Sequence, residues 1–392
     1  MNKIILKPGK DRSVFRRHPW IFSGAVSRIE GDLQEGDVVR VYNADMQYLA
    51  TGHWQIGSIA VRILTFEDEA VDAAFWHDRI AAAWQMRQAI GLVDMPENDV
   101  FRLIHGEGDN LPGLVVDYYA GVAVVQFHSI GMYRERERIA KALLEVLGDR
   151  LTAIYDKSEG TLPYKSAFVP HNGYLYGKAE NFIATENGLR FHVDWLEGQK
   201  TGFFIDQRGN RSLLEKYAAG KQVLNMFCYT GGFSFYAMRG GASLVHSVDV
   251  SERAIELAKR NVELNFPGDT RHEAFAEEAF HFLEHARDRY DLIVLDPPAF
   301  AKHQNVLGNA IQGYKRLNRK GIEVVRRGGI IFTFSCSQVM TKELFRQTVF
   351  TAAANTGRRV RILHQLTQPA DHPVNIYHPE GEYLKGLVLY VE

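Results

Sequence analysis

The chain has 392 residues, 46% hydrophobic and 24% charged, the composition of an ordinary water-soluble globular protein long enough for two or three domains. Its formal net charge of -1 excludes a global attraction to nucleic acid, so any such partner must be held by local basic patches. Two cysteines, Cys228 and Cys336, cannot build a disulfide framework, and no long apolar run or N-terminal apolar segment is present, so a cytoplasmic protein with reduced thiols is expected.

The first 28 residues carry Lys3, Lys7, Lys10, Arg12, Arg16, Arg17 and Arg28 against a single acid, Asp11, and lead into His18-Pro19-Trp20-Ile21-Phe22. Basic residues beside aromatics suit phosphate contact with base stacking, and equally a solvated basic face beside a small core. Val38–Tyr42 and Ile59–Leu64 alternate in the manner of strands, with turns at Gly31, Gly36, Asn43 and Gly57, and predict a small β-barrel closed by the acidic run Glu67-Asp68-Glu69. The period becomes helical from Ala73 to Ile90, with Phe75, Ile80, Trp84 and Ile90 as expected core contacts. Strands are expected at Val100–Ile104, Leu114–Asp117 and Val122–Phe127, and a helix from Met132 to Leu147. The Gly- and Asp-rich turn at 106–113 lacks the carboxylate ladder of a calcium loop and reads as a hairpin connection. Residues 158–177 read as irregular.

Gln199-Lys200-Thr201-Gly202 through Asp206-Gln207-Arg208 precede a predicted helix, where polar residues can meet a ligand. Val223 to Asp249 then reads as strand, glycine loop, helix, strand and acid. In a doubly wound sheet a carboxylate at the second strand's end can hold the hydroxyls of a ribose. Gly231-Gly232 does not spell the G-x-G-x-x-G of a pyrophosphate cradle, and an adenosine without phosphates to cradle points to S-adenosylmethionine. A plain βαβ unit with a solvated Asp249 is the alternative. Ser251 is a good N-cap for the next helix, and strands recur at Leu292–Leu295, Gly329–Phe334, Arg359–Leu363 and Leu384–Val391. Such alternation predicts a doubly wound α/β sheet.

Two motifs carry chemistry. The apolar strand Leu292–Leu295 runs into Asp296-Pro297-Pro298, where prolines turn the chain at the edge at which such sheets present residues to a ligand. Gly329–Phe334 ends in Ser335-Cys336-Ser337, which places a thiol at the same rim. Methylating carbon 5 of a pyrimidine requires prior addition of a nucleophile at carbon 6, a role suited to a thiolate. A small packed strand residue is the other account of Cys336, and packing or a backbone contact with a cofactor that of Cys228. His281-Phe282-Leu283-Glu284-His285 matches an inverted zinc-peptidase motif, but no third ligand stands nearby and no metal is expected. Lys315, Arg316, Arg319, Lys320, Arg326 and Arg327, opposed by Glu323, suit RNA phosphates or a solvated helix face. Asp371-His372-Pro373 is a weaker candidate for substrate contact than for a satisfied loop histidine.

Arg16–Ala25, Leu111-Pro112-Gly113, Lys200–Phe203, Asp206–Arg208, Phe227–Phe233, Asp296–Pro298, Phe334–Ser337 and Asp371–Pro373 together resemble the bacterial large-subunit ribosomal RNA cytosine-5 methyltransferases that carry an N-terminal PUA domain. The resemblance implies a PUA barrel at 1–70, a small α/β middle domain at 71–180 and a class I, Rossmann-like methyltransferase domain at 181–392, often as a homodimer. On this reading Cys336 and Asp296 are catalytic, and S-adenosylmethionine is bound by Lys200, Thr201, Gly202, Asp206, Arg208, Asn225, Phe227, Tyr229, Thr230, Gly231, Asp249, Ser251, Asp296 and Pro297. Glu278 stands near the adenine, since Glu277 and Glu278 occupy the loop after the third strand where the family has Asp. RNA is held by Arg16, Arg17, His18, Trp20 and Lys315. Methylation of uracil carbon 5 or of a guanine nitrogen, and a non-catalytic RNA-binding assembly factor, are the alternatives.

Overall fold

The computed structural model describes residues 2–163, 169–301 and 303–392. It divides into two compact units, one made of Met1–Asn187, Val193–Ile205 and Ala370–Gly381, the other of Gly188–His192, Asp206–Pro369 and Glu382–Glu392.

The first unit opens with β1 (Lys3–Leu6), α1 (Arg12–Phe15), β2 (Trp20–Phe22), β3 (Val26–Glu30), β4 (Val38–Tyr42), β5 (Tyr48–Trp54) and β6 (Ile59–Thr65). They form one sheet in the order β2-β6-β5-β4-β1-β3. The alternation of β4 buries Val39 and Val41, which join Ile4, Leu6, Ile21, Val61 and Ile63 in a small apolar core. After it, α2 (Ala73–Ala89) starts where the Asp72 carboxylate accepts the Phe75 N–H at 3.1 Å. β7 (Val100–His105), β8 (Leu114–Tyr119), β9 (Val122–Phe127), β10 (Ala153–Asp156) and β11 (Gly173–Gly177) make a second sheet in the order β11-β10-β9-β8-β7. The turn at 106–113 joins two antiparallel neighbours, as a hairpin connection does. β11 lies in the stretch expected to be irregular, of which residues 164–168 fall outside the described residues.

The helix expected from Met132 to Leu147 is two: α3 (Ile130–Arg134) and α4 (Arg136–Leu147). Ser129 caps α3 early by accepting the Met132 N–H at 3.3 Å, and the Glu135 carboxylate at the break is taken by Trp76 Nε1 at 3.1 Å. Side chains of α2 and α4, among them Trp76, Ile80, Ile139 and Leu143, pack with Phe101, Val116 and Val125 of the sheet. β12 (Ile183–Glu186) follows.

Arg87 of α2 is fully buried. Its guanidinium forms a two-pronged pair with Asp109, one prong at 2.8 Å, and donates to the carbonyls of Arg102 and Asp371 at 2.8 and 2.9 Å. Asp371 also accepts the Arg102 N–H at 3.0 Å, and both it and His372 are buried. Asp371-His372-Pro373 therefore serves the interior of the first unit. An isolated buried cation is far costlier than a paired one.

The second unit contains β13 (Leu189–His192), α5 (Arg208–Glu215), β14 (Gln222–Met226), α6 (Gly232–Arg239), β15 (Leu244–Asp249), α7 (Glu252–Asn265), β16 (His272–Ala276), α8 (Ala279–Glu284), β17 (Leu292–Leu295), α9 (Leu307–Val324), β18 (Gly329–Ser335), α10 (Lys342–Ala354), β19 (Val360–Leu366) and β20 (Lys385–Val391). Seven strands form one sheet in the order β16-β15-β14-β17-β18-β20-β19, parallel except for β20. Buried runs such as Val223-Leu224 and Leu292–Leu295 mark strands covered on both faces. β14 lies between β15 and β17, so the order reverses there and a crevice opens at the strands' carboxyl ends. This is the doubly wound α/β fold expected. β16 was missed because its His-Glu-Ala-Phe-Ala pattern is that of a half-covered edge strand.

Asp109→Asn, which strips Arg87 of its charged partner, should lower unfolding stability by about 3–5 kcal/mol, the usual loss on breaking a buried ion pair. Urea unfolding followed by tryptophan fluorescence checks it, and a loss below about 1 kcal/mol contradicts it.

Candidate active site

The chain leaves β14 through a loop in which Phe227, Tyr229 and Gly231 all have positive φ, at 57°, 48° and 88°. At Gly231 a Cβ would lie 2.6 Å from Phe235 Cζ, so a side chain is excluded on contact as well as conformation. The loop is pinned to the next strand: Cys228 N–H donates to the Val248 carbonyl at 3.0 Å, and Tyr229 N–H to Asp249 Oδ2 at 3.0 Å. The other oxygen of Asp249 accepts Ser251 N–H at 2.9 Å. Two backbone donors thus orient this carboxylate at the end of β15, with lone pairs left for a diol. An adenosine-containing cofactor fits this turned backbone and fixed acid.

Other expected cofactor residues are occupied within the protein. Asn225 is buried and donates to Ser234 Oγ at 2.9 Å, in a chain that continues through Ser247 to His272. Thr230 is buried, and its carbonyl accepts from Asn261 at 3.1 Å. Ser251 caps α7 and Glu278 caps α8, accepting Ala254 N–H at 3.3 Å and His281 N–H at 3.0 Å. Lys200, Thr201 and Gly202 belong to the first unit. There Thr201 is fully buried and donates to Asp117 Oδ2 at 2.6 Å, and a Cβ on Gly202 would meet Asp194 backbone at 2.8 Å.

Asp296 follows β17, with Pro297 buried beneath it. Gln207 Nε2 donates to its Oδ2 at 3.0 Å, and Gln207 is steadied by Asn210 at 2.6 Å. Asp206, beside Gln207, accepts the Tyr383 hydroxyl at 2.7 Å. Arg208 begins α5 and is buried. Burial, reinforced by the Asp206 charge, pushes the Asp296 carboxyl up to about 7, against the opposing pull of Gln207 and Arg211.

Cys336 lies just past β18, the strand next to β17, and its thiol is partly exposed whereas Cys228 is buried. Burial and then the Asp296 and Asp206 carboxylates push the Cys336 thiol up to about 12, while Lys385 favours the thiolate. The corner that holds it is fixed by Ser337: its hydroxyl accepts Ala301 N–H at 3.2 Å and lies 3.1 Å from Tyr314 OH, and its carbonyl accepts from Lys385 Nζ at 2.6 Å. An acid that is protonated near neutrality and a thiol therefore stand at the ends of adjacent strands, which is equipment for adding a nucleophile while protonating its acceptor. Sequence reasoning named Gln207 within a polar run ahead of a helix and passed over Tyr383 and Lys385. A lysine heading an otherwise apolar strand was the available signal for the last.

The basic residues are only partly free. Trp20 Nε1 donates to Glu107 at 2.8 Å, and its ring lies 4.3 Å from that of His378. His18 accepts Trp20 N–H at 3.1 Å, and Arg17 pairs with Glu67 at 3.5 Å over the Phe66 ring. Arg16 stays exposed and lines a cleft of about 400 Å³ with Arg12, Ser13, His18 and Tyr377. Lys315 is half-buried on α9, where Arg316 stacks on Phe280 and Arg319 pairs with Glu323 at 2.7 Å. His281 is bonded to Glu277 and does not join His285 in a ligand cluster; among the described residues the one metal-like grouping is His18, His378 and Glu380.

A model of the S-adenosylmethionine-dependent methyltransferase family matches residues 101–376, and one of the PUA-like domain matches residues 4–66. The ribosomal RNA large subunit methyltransferase I of Aeromonas hydrophila is 40% identical over 98% of both chains. That of Shewanella frigidimarina is 40% identical over 99% of both. A solved methyltransferase structure in complex with SAH superposes over 100% of both chains with a TM-score of 0.86 and 24% identity, which speaks to fold.

Because folding raises the Asp296 pKa from an ordinary carboxyl value to about 7, the folded chain holds this proton more tightly than the unfolded one. Its contribution is present below about pH 4 and lost as pH rises through about 7. Urea midpoints between pH 5 and 8 should therefore fall more steeply in wild type than in Asp296→Asn; parallel curves contradict the shift.

Proposed function

The chain belongs to the S-adenosylmethionine-dependent methyltransferase family and carries a PUA-like domain, and we propose that it forms 5-methylcytidine in large-subunit ribosomal RNA through a covalent adduct on Cys336. The observation that carries this reading is the pairing of Cys336 with a readily protonated Asp296 at the ends of adjacent strands. The names of the 40%-identical relatives support the substrate class.

S-adenosylmethionine would be held by Asp249 on its ribose hydroxyls and by the backbone of the Phe227–Gly231 loop, and would supply an electrophilic methyl group. The target cytosine is extruded from its stack, since its reacting carbons are hidden there. Cys336 loses its proton to water and its sulfur bonds carbon 6, while the carbon 5–carbon 6 π electrons move toward ring nitrogen 3, which takes the Asp296 proton. Return of that proton to Asp296 restores the electron pair at carbon 5, which would take the methyl group as the methyl–sulfonium bond breaks and the cofactor leaves as its neutral thioether. Loss of the carbon 5 proton to water then re-forms the carbon 5–carbon 6 double bond, breaks the sulfur–carbon bond and releases the thiolate. The Arg12, Arg16 and Tyr377 cleft, beside Phe15 at 64% and Phe22 at 50% exposure, is the RNA-binding face, with arginines for phosphates and aromatics for bases.

Cys336→Ala should abolish 5-methylcytidine in ribosomal RNA, read by nucleoside mass spectrometry, while calorimetry with S-adenosylhomocysteine stays within a few-fold of wild type. Retained product removes Cys336 from the mechanism, and a different methylated nucleoside removes cytosine. In filter binding, Arg12→Ala and Arg16→Ala should each weaken RNA binding and reduce the log K against log salt slope by about one if each contacts a phosphate; unchanged slopes move the interface elsewhere.

A further inference from the structure

β20 reads Lys385-Gly386-Leu387-Val388-Leu389-Tyr390-Val391, a charge at the head of an apolar strand. Lys385 is only 4% exposed. A buried ammonium is costly unless an anion or several oxygens replace its water. Among the described residues no carboxylate lies within ion-pair reach of it; Glu382, three positions away, is taken by Lys342. Its hydrogen bond goes to the neutral Ser337 carbonyl, at 2.6 Å.

The register places Lys385 opposite Ser335, so its ammonium stands against the Ser335-Cys336-Ser337 corner. The Ser337 N–H donates to Ser335 Oγ at 3.3 Å, and Tyr314 braces the same serine. Around the sulfur, burial and the Asp296 and Asp206 carboxylates oppose a thiolate, while a backbone hydrogen bond at Cys336 and the Lys385 charge favour one. Around the ammonium, Cys336 and Glu382 favour the charge and Lys342 opposes it. The cation lacks an anion, and the anion that the proposed chemistry must create lacks a cation.

We propose that Lys385 is a positioning residue whose ammonium is the counter-ion of the Cys336 thiolate and, through the Ser337 carbonyl, fixes the corner from which the sulfur attacks. This rests on Cys336 being the nucleophile. Proton loss from the thiol then makes a neutral ion pair and leaves no single charge buried. Burial lowers the Lys385 pKa, and the opposing pull of Cys336 and Glu382 leaves it at about 8.

The test is the rate of Cys336 alkylation by iodoacetamide between pH 7.5 and 9.5, followed by peptide mass spectrometry on the full chain, with buried Cys228 reporting an intact fold. Lys385→Gln keeps an N–H for the Ser337 carbonyl and removes the charge; Lys385→Arg keeps the charge. Lys385→Gln should slow alkylation about tenfold at pH 7.5, and Lys385→Arg should stay within about threefold of wild type. An unchanged rate in folded Lys385→Gln overturns the proposal. If that variant exposes Cys228, wild type decides: the slope of log rate against pH should fall below one as Lys385 deprotonates, and a slope of one throughout overturns the proposal. None of these readings needs turnover. A failed counter-ion is therefore distinguishable from a failed nucleophile, which the Cys336→Ala product assay reports.

Discussion

Everything at the candidate site depends on the parallel pairing of β14 with β15 on one side and β17 on the other. Parallel strands require crossovers, so the three carboxyl ends come from distant stretches of sequence yet open onto one edge. The turned loop, the Asp249 carboxylate and Asp296 each follow one of these strands directly. Extending the parallel run by β18 adds Cys336. The apolar runs that make such strands bury on both faces are thus what brings two carboxyl groups and a thiol to one rim.

Burial and the Asp206 charge decide the protonation of the groups at the rim. They hold the Asp296 carboxyl near neutrality and the Cys336 thiol far above it. A carboxylic acid that keeps its proton near pH 7 can donate it to a ring nitrogen, which an ordinary surface aspartate cannot. The same surroundings disfavour a thiolate at Cys336, and the Lys385 charge on the neighbouring strand works against them.

Much of this was legible in the chain. The alternation of Val38–Tyr42, the Ser251 and Asp72 caps, and the apolar Leu292–Leu295 before Asp296 are local signals with local causes, and the elements follow them. The doubly wound sheet, the family and the S-adenosylmethionine cofactor came from motifs that each follow a parallel strand of one sheet. What escaped was non-local. Nothing within a few residues of Trp20 announces Glu107, so a tryptophan in a basic aromatic run read as a stacking platform although its indole is tied inside its own unit. Thr201 likewise sits in a motif beside a ligand-binding loop, yet its hydroxyl is spent on Asp117. A sequence shows which side chains are polar before it shows which partners reach them.

The Arg87 carbonyl contact with Asp371 spans 284 positions of chain. At synthesis rates of roughly 5–20 residues per second, Arg87 leaves the ribosome about 15–60 s before the segment that completes its surroundings. Asp109, 22 positions away, arrives almost at once and can neutralise the guanidinium in the meantime. During that interval the first unit holds a partly finished interior, and its last hydrogen bonds form only when the chain is nearly complete. Ribosomes that stall after Pro369 would thus present a nascent chain whose first unit is still unsealed and whose seven-stranded sheet still lacks β20, a state chaperones and proteases can read.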